Sequence, residues 1–95
     1  YIIEQIHLVA KSTELFVESD IKVRANTFEK YLVGNKREDF IHVFAHIMQG
    51  RTTEQKAHLS KLMVTKLVSL FPEIMNIAIN INDFEKATYC NRALL

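Results

Sequence analysis

The stretch Asp39-Phe40-Ile41-His42-Val43-Phe44-Ala45-His46-Ile47-Met48-Gln49-Gly50-Arg51-Thr52-Thr53-Glu54-Gln55 decides the fold. From Asp39 to Met48 it is almost wholly apolar and rich in aromatic and β-branched side chains, the composition of a central strand covered on both faces. Gly50 ends the run, and Thr52 with Gln55 three residues on forms a capping box, so a helix starts at Thr53. Leu59, Leu62, Met63, Leu67, Leu70 and Phe71 share one face of that helix, with Glu54, Lys56, Lys61 and Thr65 mainly on the other. The helix runs to about Leu70, and Pro72 stops it. From Met75 to Asn82 the chain alternates, Ile77, Ile79 and Ile81 against Asn76, Asn80 and Asn82, which predicts a second strand. Strand, helix and strand in this order make a β-α-β unit with a right-handed crossover.

Upstream, Gly34-Asn35-Lys36-Arg37 reads as a turn. Ile21, Val23 and Ala25 alternate with Lys22, Arg24 and Asn26, the pattern of a half-buried strand, and Thr27 to Leu32 is expected to continue it. Between Tyr1 and Phe16, Ile2, Ile6, Val9 and Phe16 recur at helical spacing. Ile3, Ala10 and Leu15 widen the stripe into an amphipathic helix lying on a core. Phe84 to Leu95 has no firm periodicity. The expected order is helix, strand, strand, helix, strand. The class is α+β: a two-layer sandwich with helices on one face of a mixed sheet, its other face needing cover from a partner subunit. The first helix lacks a preceding strand, and the chain opens at Tyr1 inside a helical pattern. Residues 1–95 are therefore expected to form a single domain that is incomplete or processed at its N-terminus.

Composition narrows the function. At 95 residues the chain makes one domain with a marginal core, which oligomerisation would support. Twelve Lys and Arg against eleven Asp and Glu leave a net charge of +1, which argues against an electrostatic binder of nucleic acid. The one cysteine, Cys90, excludes an internal disulfide framework and fits a reducing cytoplasm. No apolar run approaches the roughly 18 residues of a membrane span. No P-loop, dinucleotide glycine fingerprint, nucleophile elbow or zinc spacing is present, so neither a cofactor nor a metal is expected.

Arg51, between a strand end and a helix N-terminus, is placed to hold a carboxylate bidentately with the free helix N–H groups assisting; otherwise Gly50 makes the turn and Arg51 is solvated. Lys22 and Arg24 share one face of a strand with Asn26, as a second anion site or as a wet face. His42 and His46 lie four apart on a strand, too far apart to close a metal site, and read as core or interface residues. His7 and His58 read as helix-surface residues. Cys90 has no assignable base.

The run Gly50-Arg51-Thr52-Thr53-Glu54-Gln55-Lys56 with Leu59 resembles the strand-turn-helix signature of the tautomerase superfamily. The wider chain is similar to its 5-carboxymethyl-2-hydroxymuconate Δ-isomerases, through Ile21-Lys22-Val23-Arg24, Asp39-Phe40-Ile41-His42-Val43 and, faintly, Asn91-Arg92-Ala93-Leu94-Leu95. The resemblance implies paired β-α-β units, a homotrimer, and a 1,3-proton shift between enol and ketone on a carboxylated small molecule of homoprotocatechuate catabolism. It implies Arg51 as a carboxylate binder, with Arg24, or less favourably Lys22, as a second cationic group. The general base it implies is an N-terminal proline, whereas residue 1 here is Tyr and the only proline is Pro72. The catalytic residue is thus unassigned. The alternative is a non-catalytic trimeric module of the same fold that binds anionic small molecules or another protein.

Overall fold

The Thr52 side chain accepts from the Gln55 backbone N–H at 3.1 Å, while the Gln55 side chain accepts from the Thr52 N–H at 2.8 Å. This reciprocal cap satisfies two N–H groups that a helix start leaves free. It opens the long helix of the computed structural model, which describes residues 1–95. Four principal elements follow one another: α1 (Ile2–Ser12), β1 (Phe40–Met48), α2 (Thr53–Leu70) and β2 (Asn76–Phe84). β1 and β2 pair in parallel, in register from Phe40 opposite Asn76 to Met48 opposite Phe84. Short 3-10 turns stand at Glu18–Asp20, Lys86–Thr88 and Arg92–Leu94.

The core lies between the sheet and α2. Leu59, Met63 and Leu67 occupy one stripe of α2 and are 2%, 3% and 0% exposed. Ile41 and Val43 of β1 and Ile77, Ile79 and Ile81 of β2 pack on that stripe from the sheet, and Ile2, Ile6 and Val9 of α1 pack on it from the side. Complete burial of Leu67 contributes about 1.5–3 kcal/mol relative to an exposed leucine. Only five of the 95 residues are buried, so a single chain encloses a thin core.

Structure and sequence reading differ at three places. α1 ends at Ser12 instead of running to Phe16. Ser12 and Thr13 turn their hydroxyls back onto the carbonyls of Val9 and Ala10, each at 2.7 Å, and Glu14 adopts a left-handed φ of 60°. That reversal folds Leu15 and Phe16 back onto the core.

The strand expected over Ile21–Asn26, with its continuation to Leu32, is not formed. Ile21 and Val23 are half-buried while Lys22 and Arg24 are exposed, so the alternation holds from Ile21 to Arg24 and stops at Ala25, which is exposed. No neighbouring backbone pairs with it, however, and a strand exists only as a member of a ladder. The turn after it is a tight one from Val33 to Lys36, with Gly34 and Asn35 at φ 54° and 65°.

Within the chain β1 is covered on one face, where the helical layer packs, and the face of Phe40, His42, Phe44 and His46 is exposed, the face expected to need cover from a partner subunit. His42 and His46 are accordingly not core residues. Finally, the sheet is a purely parallel pair, not a mixed one.

No helix is long and apolar enough to cross a membrane.

Candidate active site

β1, running parallel to β2, ends at Met48, and the chain must turn sharply there to enter α2. Gly50 makes that turn at φ +124°, a conformation in which a side chain is strained even though nothing lies within 4 Å of the position where a Cβ would stand. The turn delivers Arg51 to the C-terminal end of the parallel strands, beside the start of α2. In open parallel sheets this end is where ligands collect.

Arg51 is half-buried and held on three sides. Its Nη1 donates to the Met48 carbonyl at 3.1 Å and its Nη2 to the Leu15 carbonyl at 2.8 Å. The guanidinium carbon stands 5.0 Å from the centroid of the Phe16 ring. A guanidinium carries five N–H donors. The two backbone carbonyls therefore leave Nε–H and one N–H on each terminal nitrogen for a ligand. The group is fixed, positively charged and still has donors to give, the requirement for bidentate recognition of a carboxylate.

Lys22 and Arg24 are placed differently. Both are exposed; Lys22 Nζ lies 3.4 Å from the carbonyl of Asp20, and Arg24 makes no hydrogen bond. Between them Val23 faces α1, where with Ile3, Glu4, His7 and Leu8 it lines a shallow cleft. No hydrogen bond or ion pair joins either cation to Arg51 within the chain.

The histidines separate as well. His42 makes a hydrogen bond with Asn80 and stacks on Phe44 at 4.3 Å on the open face of the sheet. His7 Nε2 meets Glu18 at 2.8 Å, and Lys11 meets the other oxygen of Glu18 at 3.3 Å. His7 and then Lys11 hold the Glu18 carboxyl below its ordinary value of 4.5. No three His, Cys, Asp or Glu side chains gather as a metal site. Cys90 is free and exposed.

Sequence reasoning did not find the anchor of Arg51 at Leu15 or the Lys56–Asp83 ion pair between the start of α2 and the end of β2. Leu15 acts through its backbone carbonyl, which has no side-chain signature. Lys56 and Asp83 do carry one. Lys56 is a cation in the first turn of α2, against the usual preference for acidic residues there, and Asp83 interrupts the Ile77, Ile79, Ile81 alternation on the helix-facing side of β2.

The family model that matches the chain over residues 1–92, together with this β-α-β core, places it in the tautomerase superfamily. Among solved structures the chain is similar to N1, a member of the cis-3-chloroacrylic acid dehalogenase family, with a TM-score of 0.79 at 15% identity over 96% of this chain and 67% of that one. At that identity the likeness concerns the fold. The model of the 5-carboxymethyl-2-hydroxymuconate isomerase family matches residues 1–92, and the chain belongs to that family. No curated protein matches it.

Proposed function

We propose that the chain is a tautomerase acting on 5-carboxymethyl-2-hydroxymuconate or a similar carboxylated enol in the homoprotocatechuate branch of aromatic catabolism. In this reading residues 1–95 act as one domain, and the protein works in the cytoplasm as a homotrimer. The observation that carries the reading is Arg51, immobilised on two carbonyls with donors to spare at the C-terminal end of a parallel sheet.

The reaction moves one proton from the enol oxygen to a carbon two atoms away. Negative charge spreads over the oxygen as the O–H proton leaves and before the carbon is protonated. Arg51 takes a substrate carboxylate through two parallel N–H donors and fixes the enol beside the α2 N-terminus. A cation already in place for the developing oxyanion lowers the barrier without having to reorganise. Arg24, and secondarily Lys22, supplies the cationic group for a further carboxylate. None of these three residues is the general base, which is left unassigned. No cofactor or metal takes part.

A second reading is a trimeric binding module of the same fold without turnover. Arg51, anchored on two carbonyls with N–H donors left over, holds an anion whether or not a proton is moved.

The test is to follow the ultraviolet absorbance of 2-hydroxymuconate, a carboxylated enol, with the wild-type chain and with Arg51→Ala. Turnover that falls about 100-fold in kcat/KM on substitution supports the first reading. Binding that depends on Arg51 without turnover supports the second. Neither turnover nor Arg51-dependent binding overturns both.

A further inference from the structure

The contacts around Arg51 close on themselves. Arg51 donates to the Met48 carbonyl; the next residue, Gln49, donates its N–H to the Phe84 carbonyl at 2.9 Å. The residue before Phe84 is Asp83, whose carboxylate holds the Lys56 ammonium at 2.9 Å. Lys56 in turn donates its backbone N–H to the Thr52 carbonyl at 3.1 Å, and Thr52 is bonded to Arg51. The circuit links the ends of both strands to the first turn of the helix, and Lys56–Asp83 is its one ion pair between side chains. A lysine in the first turn of a helix opposes the macrodipole, so its own helix does not account for it. Its carboxylate partner, next to the C-terminal end of β2, does. The pair is partly sheltered, with side chains 27% and 38% exposed, which reduces screening by solvent.

We infer that Lys56 and Asp83 are positioning residues for Arg51: their ion pair locks the circuit that aims the free guanidinium donors at a carboxylate. Neither residue touches the ligand. The inference deepens the reading of Arg51 as a carboxylate binder and rests on it for the ligand. The geometric part, the orientation of Arg51, is independent of it.

The experiment uses the full chain and two readouts: the Nε–Hε resonance of Arg51 by NMR, and the dissociation constant for maleate, a stable dicarboxylate. Lys56→Gln and Asp83→Asn each break the ion pair while keeping a polar side chain of similar size. The expected result is a displaced or broadened Arg51 resonance in both variants. Maleate binding weakens roughly three- to tenfold in each, the range for removal of a link in a coupled network. The exchanged pair, Lys56→Asp with Asp83→Lys, restores both. A pair that serves stability alone lowers the melting temperature while the Arg51 resonance and the maleate affinity stay as in the wild type, and that result overturns the inference. If the wild type and Arg51→Ala are alike in failing to bind maleate, the carboxylate reading falls. The resonance then decides the positioning role by itself, and an unmoved signal in the two single variants overturns it.

Discussion

Arg51 Nη2 donates to the carbonyl of Leu15 at 2.8 Å across a separation of 36 residues. The bond ties the segment after α1 to the β1–α2 turn, and Phe16 lies against the same guanidinium. A residue argued to bind substrate thus also joins two parts of the chain. Arg51→Ala removes both carbonyl contacts and is expected to destabilise the fold by about 1.5–3 kcal/mol, the range for a hydrogen bond to a charged group. Arg51→Lys keeps the charge but has no planar fork to span Met48 and Leu15. It should recover less than half of the loss in a urea titration, and should bind maleate no better than Arg51→Ala. Recovery of wild-type stability by lysine would mean that charge alone is used at this position.

Gly50 bears on the same turn through backbone geometry. At φ +124° it stands where residues with a Cβ are strained, yet no atom would collide with the added methyl. Gly50→Ala is therefore expected to cost roughly 1–3 kcal/mol through conformation alone. Gly34→Ala, in the left-handed region at φ +54°, should cost about 1 kcal/mol. Equal midpoints for the two variants in denaturant would contradict this ordering.

The β1–α2–β2 unit was legible because its signals are local. The Thr52–Gln55 box, the stripe through Leu59, Met63 and Leu67, and the alternating isoleucines each lie within one element. The segment Ile21–Asn26 shows the opposite case. Its alternation survives as alternating exposure, but strand formation depends on a neighbour that no local pattern encodes. Likewise, the apolar run Phe40–Met48 signals cover for two faces, one of them expected from a partner subunit, but no local pattern names the surface that would supply it. Arg51 stood out by its place in a motif. Its anchor at Leu15 could not, since every residue has a carbonyl and only the tertiary fold selects one.

Leu67 tests how much of the stability that thin core provides. It is wholly buried, and its neighbours Leu59 and Met63 lie on the same helix and cannot close around a void. Leu67→Ala is expected to destabilise by about 2.7–5 kcal/mol, measured by equilibrium unfolding. A loss below roughly 1 kcal/mol would show that the α2–sheet interface yields instead of leaving a cavity.

The His7–Glu18–Lys11 cluster makes stability depend on pH at the acid end. Glu18 is held below 4.5 in the folded chain, by His7 first and Lys11 second. Between its folded and unfolded values the unfolded chain binds more protons, so stability rises with pH across that interval. The stabilisation is complete above the unfolded value and is lost as pH falls from 4.5 through the folded value. Glu18→Gln should be less stable than the wild type at pH 5.5, and the gap between the two unfolding midpoints should narrow as pH falls below 4.5. A gap between the curves that does not change with pH would assign the effect of Glu18 to something other than its charge.

Phe44 makes the strongest claim about assembly. It is 62% exposed at the centre of β1 and stacks on His42 with the rings 11° from parallel, so its apolar surface faces outward and contributes nothing to the core of its own chain. The same face carries Phe40, His42 and His46, and a thin single-chain core leaves it uncovered. If copies of the chain cover this face for one another, a charge at its centre must abolish assembly while leaving the helix-side packing intact. The wild type is expected to sediment as a trimer, and Phe44→Glu as a monomer with the wild-type circular dichroism spectrum. A wild-type monomer would remove the trimer from the proposed function. A trimer that tolerates Phe44→Glu would move the interface to another surface.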